Sequence, residues 1–254
     1  MSGNEVGAML LEYILKNRTE KGNLPEAPIA VKSIVTSDLV SRIAEHYHCE
    51  IRNLLTGFKY IGELVTNLEK EEEEDRFVFG MEESYGYLCG THARDKDAVV
   101  ASMLICEMAA YYKLQGKTLV QVMDGIYQKY GMYLSRVLNF GFEGAAGMEK
   151  MKGIMDSLRR EHPAELGGRR VTFSSDYQSG ECVDHISGEH SHTGLPQSNV
   201  LSYGLEDHSG IIVRPSGTEP KIKVYITAVA SGRAEAERVA DELEQDIKQK
   251  MKMD

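Results

Sequence analysis

Apolar positions in the first half of the chain alternate between a helical and a strand period. Val6, Met9, Leu10, Tyr13 and Ile14 recur at i, i+3, i+4 spacing and predict a helix over 4–16. Pro28-Ile-Ala-Val-Lys-Ser-Ile-Val35 reads as a strand, residues 38–47 as a short helix and Glu50-Ile-Arg-Asn-Leu54 as a second strand. Phe58 to Leu68 is helical again. Arg76-Phe-Val-Phe-Gly80 is a third strand that delivers a loop at Glu82. Helices follow over Asp97–Leu114, with Asp97 in the first turn, and over 118–130. Strand–helix alternation of this kind predicts a layered α/β domain. Sites in open α/β sheets form at the carboxyl ends of strands. The Ser37, Gly57 and Glu82 loops each follow a strand, so they are expected to meet on one edge.

The second half reads differently. Residues 132–142 are extended and 147–160 helical. Pro163 and the Gly167-Gly168 pair then mark Glu161–Gly168 as a linker and a candidate hinge. From Arg169 the pattern is strand-rich and closes on an amphipathic helix over Arg233–Met251. The expected organisation is a layered α/β sandwich over residues 1–165 and a small α+β domain over 166–254.

Composition narrows the function classes. A net charge of −10 over 254 residues argues against non-specific binding to nucleic acid or to an anionic membrane. It leaves room for an anionic substrate in a local basic pocket. The apolar runs fall far short of bilayer length, and no charged-then-apolar leader opens the chain. Cys49, Cys89, Cys106 and Cys182 are widely scattered and read as free thiols of a reducing cytosol. A cytoplasmic protein is the expectation. The charge run Glu69-Lys-Glu-Glu-Glu-Glu-Asp75 reads as a solvated helix end.

Two stretches carry candidate chemistry. Arg214-Pro-Ser-Gly-Thr-Glu-Pro220 lies between the strand-like runs Gly210–Val213 and Lys221–Ala228. Arg214 offers a planar fork, Ser216 and Thr218 hydroxyls, and Gly217 a backbone amide that can approach an anion closely. Such a turn suits a dianionic phosphate, and it equally suits an ordinary hairpin. Glu82 and Ser84 sit between Gly80 and Gly86 and could fix sugar hydroxyls, or could serve as helix caps. Lys59 could steer a phosphate or pack its stem on the sheet. Lys96, among Arg94, Asp95 and Asp97, reads as a solvated charge cluster on spacing alone. Cys182, His185, His190 and His192 do not follow a standard zinc spacing and lie in a Ser/Gly/Asp-rich stretch, as in an exposed loop.

Four motifs together resemble the α-D-phosphohexomutases, the phosphoglucomutase/phosphomannomutase family. They are Thr56-Gly-Phe-Lys-Tyr-Ile-Gly62, Gly80-Met-Glu-Glu-Ser-Tyr-Gly86, His92-Ala-Arg-Asp-Lys-Asp-Ala98 and Arg214–Pro220, in the family's order. The resemblance covers nearly the whole chain and is closest to bacterial phosphoglucomutases. It implies that Glu82, or its neighbour Glu83, and Ser84 contact the sugar, that Gly57 and Lys59 belong to the substrate-binding loops, and that Lys96 faces the cleft, in substrate phosphate contacts and proton handling. It implies that Arg214, Ser216, Gly217 and Thr218 grip the non-reacting phosphate, and that the second domain has a TATA-binding-protein-like form. The family's phosphoserine loop and its Asp-rich Mg²⁺ loop are not found in these 254 residues. The chain is therefore expected to be the C-terminal half of an enzyme that interconverts glucose 1- and 6-phosphate through glucose 1,6-bisphosphate. Mg²⁺ and the phosphoserine would come from the N-terminal half, the expected partner, and this half alone would be inactive. Alternatives are a non-catalytic phosphosugar-binding module, or a mutase for mannose, glucosamine or pentose phosphates.

Overall fold

The structure is a computed structural model that describes residues 1–217 and 219–253. The chain divides into two compact units, Met1–Gly131 and Met132–Asp254.

The first unit runs α1 (Gly3–Glu20), β1 (Ile29–Ser33), α2 (Leu39–His46), β2 (Glu50–Leu54), α3 (Phe58–Lys70), β3 (Phe77–Glu82), β4 (Gly86–Leu88), α4 (Ala98–Leu114) and α5 (Leu119–Tyr130). Its sheet has the order β2-β1-β3-β4, with β2, β1 and β3 parallel and β4 antiparallel at the edge. All five residues of β1 are buried, as expected of a central parallel strand covered on both faces. Ile29 and Val31 meet Ile61, Val65 and Leu68 of α3, while Met81 and Tyr87 lie against Gly7 of α1. A register shift skips Val78 in the pairing of β1 with β3. Phe77 therefore joins the α3 side, and Phe79 stacks on Tyr87 at 6.0 Å.

The second unit runs β5 (Met132–Gly141), α6 (Gly144–Glu161), β6 (Glu165–Leu166), β7 (Arg169–Asp176), β8 (Glu181–Asp184), β9 (His190–His192), β10 (Leu201–Leu205), β11 (Gly210–Pro215), β12 (Lys221–Ala230) and α7 (Arg233–Lys250). Its sheet is antiparallel, in the order β5-β12-β11-β10-β7-β8-β9, with β6 paired to β7. Ile222, Val224, Ile226 and Ala228 alternate along β12 and pack with Met155 and Leu158 of α6 and Val239, Leu243 and Ile247 of α7. An α+β unit results, with both helices on one face. Truncating fully buried Leu243 to Ala would cost about 2–5 kcal/mol.

The boundary expected at 165/166 is displaced to 131/132. Strand β5 pairs along its whole length with β12, and α6 shares the core of β7 to β12, so residues 132–165 belong to the second unit. The expected linker lies inside that unit. Leu166 pairs with Arg169 across a two-residue turn in which Gly167 and Gly168 have φ of 55° and 73°. Those angles belong to a tight hairpin turn. A Cβ on Gly167 would also lie 2.9 Å from Leu243 Cδ2. The glycines fit a hairpin beneath α7 and give no freedom to hinge. Among the described residues, no helix is long and apolar enough to cross a membrane.

Candidate functional site

In the first unit the loops that follow β1, β2 and β3 meet at the carboxyl ends of the parallel strands. Glu82 is the last residue of β3 rather than a loop residue, and it is 7% exposed. Its Oε1 accepts a hydrogen bond from Gly57 N at 2.6 Å, a charge-assisted contact between the ends of β3 and β2. Gly57 is the N-cap of α3 with φ of 127°, an angle that other side chains rarely adopt. The carboxylate therefore also lies at the positive end of that helix. Glu83 Oε2 accepts from Ser33 Oγ at 3.4 Å, which joins the ends of β3 and β1. Ser84 is exposed on the turn, and Tyr85 completes it with φ of 63°.

Lys96 is held in the same corner. Its Nζ lies 5.6 Å from the Phe58 ring and 2.9 Å from Asp95 Oδ1. A Cβ on Gly86, the residue opposite Glu82, would be 3.4 Å from Lys96 Cδ. The Lys96 hydrogen bond holds the Asp95 carboxyl below the usual range. Lys59 is exposed, with Nζ over the Tyr60 ring at 4.8 Å.

The basic loop owes its shape to groups that have no direct part in the corner. Arg94 donates to Thr66 Oγ1, to the Thr91 carbonyl and to Glu69. Its carbonyl crosses α3 so closely that a Cβ on Gly62 would come within 2.1 Å. Asp97 is the N-cap of α4 rather than a first-turn residue, accepting from Val99 N and Val100 N at 2.8 and 3.0 Å. His92 Nε2 contacts its other oxygen at 2.8 Å.

Two polar groups near these loops escaped the sequence reading. Lys32 is 2% exposed at the end of β1, with Nζ 3.0 Å from both the Thr36 carbonyl and Asp38 Oδ1. A lysine in the otherwise apolar run Ile29-Ala-Val-Lys was the available signal. Thr56 Oγ1 is buried without a partner among the described residues. Nothing in its spacing marks that.

In the second unit Arg214 lies in β11 and the turn proper begins at Ser216. The turn is closed by Ser216 N to the Lys221 carbonyl at 2.8 Å and Lys221 N to the Glu219 carbonyl at 2.7 Å. Lys221 Nζ lies 2.5 Å from Glu219 Oε2, and this hydrogen bond holds the Glu219 carboxyl low. The Arg214 Nε is buried and has no partner among the described residues. A Cβ on Gly217 would meet nothing within 4 Å, so the space over its backbone is open. Thr218 lies outside the described residues. The ladder places Lys223 directly opposite Arg214, on the same face of the sheet, and this cation was also missed. Its signal was the alternation Lys221-Ile-Lys223-Val, which turns both lysines away from the core.

The histidine stretch forms an exposed hairpin. His190 Nδ1 contacts Glu181, His185 Nε2 contacts Ser174 Oγ, and His192 Nδ1 contacts the Gly180 carbonyl. Among the described residues no three His, Cys, Asp or Glu side chains come together to hold a metal ion. All four cysteines are free, and burial pushes the Cys49 thiol up to about 12.

Residues 2–130 match the family profile for the phosphoglucomutase/phosphomannomutase alpha/beta/alpha domain III, and residues 192–245 match that for the family's C-terminal domain. The chain belongs to the phosphoglucomutase/phosphomannomutase family. The first match ends one residue short of the first compact unit. Among curated relatives, the phosphoglucomutase of Staphylococcus epidermidis is 37% identical over 226 residues, covering 89% of this chain and 40% of that protein. That of Staphylococcus haemolyticus is 35% identical over 225 residues, with the same coverage. The chain thus spans about two fifths of the length of these relatives. Among solved structures, pp63/parafusin, a phosphoglucomutase from Paramecium, matches with a TM-score of 0.67 at 20% identity, over 99% of this chain and 41% of that one. A protein from Thermus thermophilus, described as a putative phosphomannomutase, matches at 0.58 and 17%, over 96% and 40%. These two likenesses establish the fold.

Proposed function

We propose that this chain is the sugar-phosphate-holding part of a phosphoglucomutase that interconverts glucose 1-phosphate and glucose 6-phosphate by way of glucose 1,6-bisphosphate. The observation that carries the reading is the Arg214 turn. It combines a buried guanidinium Nε that has no partner among the described residues, a second cation at Lys223 and open space above Gly217. A phosphate dianion would supply the acceptor that the Arg214 Nε lacks among the described residues. Arg214, Ser216, Gly217 and Thr218 would grip the non-reacting phosphate, and Lys223 would add charge. Glu82 and Ser84, with Gly57 and Lys59, would hold sugar hydroxyls, and Lys96 would handle protons in the same corner.

The described residues do not gather a Mg²⁺ site. The metal and the phosphoserine of the family would be supplied by an N-terminal half in a cytoplasmic enzyme. Positioning groups cannot replace a phosphoryl donor. A coupled assay on glucose 1-phosphate, with Mg²⁺ and glucose 1,6-bisphosphate, is therefore expected to stay at background with this chain alone. Glucose 1-phosphate added to ¹⁵N-labelled chain should shift the amides of Arg214, Ser216 and Gly217 and of Gly57, Glu82 and Ser84. Turnover that survives repurification, or amides that do not move, would overturn the reading.

A further inference from the structure

The first turn of α1 touches two of the loops that meet beside Glu82. Asn4 Oδ1 accepts a hydrogen bond from Ser37 N at 3.0 Å, in the loop after β1. Gly3 lies against the turn after β3. A Cβ placed there would be 2.1 Å from the Glu83 carbonyl oxygen and 2.8 Å from Tyr85 N. The Gly3 carbonyl also accepts from the buried Tyr87 hydroxyl at 2.7 Å, in β4. That first turn is itself fixed. Ser2 and Glu5 close a reciprocal cap through Ser2 N to Glu5 Oε2 at 2.7 Å and Glu5 N to Ser2 Oγ at 3.3 Å. Glu5 Oε1 accepts from Tyr127 of α5 at 3.2 Å. Ser33, at the end of β1, reaches the same turn through the 3.4 Å contact of its Oγ with Glu83.

We propose that Asn4 and Gly3 are positioning residues for the sugar-binding turn: the first turn of α1 sets the spacing between the Ser37 loop and Glu82–Ser84. The proposal rests on the phosphosugar reading given above. Strand-end loops have no ladder to hold them to one another, so a template contacting both must set their separation. Gly3 also touches the backbone on both sides of Ser84, at Glu83 and Tyr85, and Glu82 and Ser84 can fix two hydroxyls of one ring only if that turn keeps its place to a few tenths of an ångström. Gly7, one turn further on, provides an internal contrast. A Cβ there meets Met81 Cε at 2.1 Å, the free end of a flexible side chain that can move aside. At Gly3 the obstacle is backbone, and the turn itself must shift.

The test is a titration of the ¹⁵N-labelled chain with glucose 1-phosphate and, separately, with inorganic phosphate, alongside thermal unfolding. Asn4→Ala should weaken glucose 1-phosphate binding about five- to tenfold, as expected for one lost hydrogen bond to the loop. Asn4→Asp, which keeps the acceptor, should restore it. Gly3→Ala should weaken sugar binding and shift the Glu83 and Tyr85 amides, and Gly7→Ala should do neither. Inorganic phosphate binding at residues 214–217 should not change in any variant, which a general loss of folding could not reproduce. If the unsubstituted chain does not shift at Glu82 and Ser84, the sugar-site reading itself fails. If it does shift, and Asn4→Ala and Gly3→Ala bind equally well, the positioning role alone fails. Should Asn4→Ala not fold, the Gly3→Ala against Gly7→Ala contrast decides.

Discussion

Around Glu82 the polar groups of the site hold one another, whereas at Arg214 the buried guanidinium Nε has no partner among the described residues. Glu82 is bonded to Gly57, Glu83 to Ser33, and Ser37 to Asn4, so segments far apart in sequence are tied by side chains. The Arg214 turn gets its shape from the ladder instead. Val213 and Arg214 face Val224 and Lys223 across a hairpin, and backbone bonds close the turn. Its guanidinium Nε is buried with no partner among the described residues. Loops at the ends of parallel strands have no such ladder, so their functional groups must also be structural. Substitutions in the first unit should then change stability and binding together, and those at Arg214 should change binding alone.

The largest expected effect is Arg214→Ala. Loss of a bidentate charge-assisted contact is worth about 1.5–3 kcal/mol, or roughly 10- to 150-fold in phosphate affinity. Because Nε has no partner among the described residues, unfolding free energy should move by less than about 0.5 kcal/mol. Calorimetric titration with inorganic phosphate and a urea melt check both halves. A melt that falls in step with affinity would break the contrast.

Next comes Glu82→Ala. It leaves Gly57 N–H without its acceptor at a buried strand end, a cost of about 1–3 kcal/mol. Stability and sugar binding should both drop, while phosphate binding at residues 214–217 persists. Glu82→Gln keeps an acceptor and should regain most of the stability. Full stability in Glu82→Ala would show that the loops are held by something else.

Lys223→Ala should come third. A reading of the turn as a self-contained motif makes Lys223 an inert strand residue, but the ladder puts it opposite Arg214. We expect a loss of about three- to tenfold in phosphate affinity, below that of Arg214, because a lysine acts as a point charge without the fork. Lys221, already paired with Glu219, is the control and should change less. Equal effects at 221 and 223 would remove Lys223 from the site.

Local patterns made the helices and parallel strands of the first unit legible, because the 3.6-residue and 2-residue periods of Val6–Ile14 and Ile29–Val35 are local. The four ordered motifs made the candidate residues legible too. Long-range pairing stayed hidden. That β5 zips to β12 depends on residues eighty or more positions apart, and nothing local in Met132–Gly141 announces the partner. The same blindness turned Gly167-Gly168 into a linker, since a diglycine reads alike in a hinge and in a two-residue hairpin. Thr56 and Lys223 were missed because burial without a partner and cross-strand register exist only in three dimensions.

The smallest expected effect concerns acid. The Asp97 carboxyl is held below the ordinary aspartate range, first by its hydrogen bond to His92 and then by the backbone amides it caps. A depressed folded value contributes stability that is fully present above the unfolded value, near pH 4. That contribution is lost as pH falls through the depressed folded value. Asp97 also shapes the loop that carries Lys96, so the first unit should lose part of its α4 cap in acid. Glu219 is lowered as well, by Lys221, but 59% of its side chain is exposed against 22% for Asp97. Asp97→Asn should therefore flatten the acid limb of the stability curve of the first unit, and Glu219→Gln should leave that of the second unchanged. Following the Asp97 carboxyl by ¹³C NMR gives the direct check. A midpoint at or above the ordinary aspartate value would show that neither the His92 contact nor the cap holds the charge.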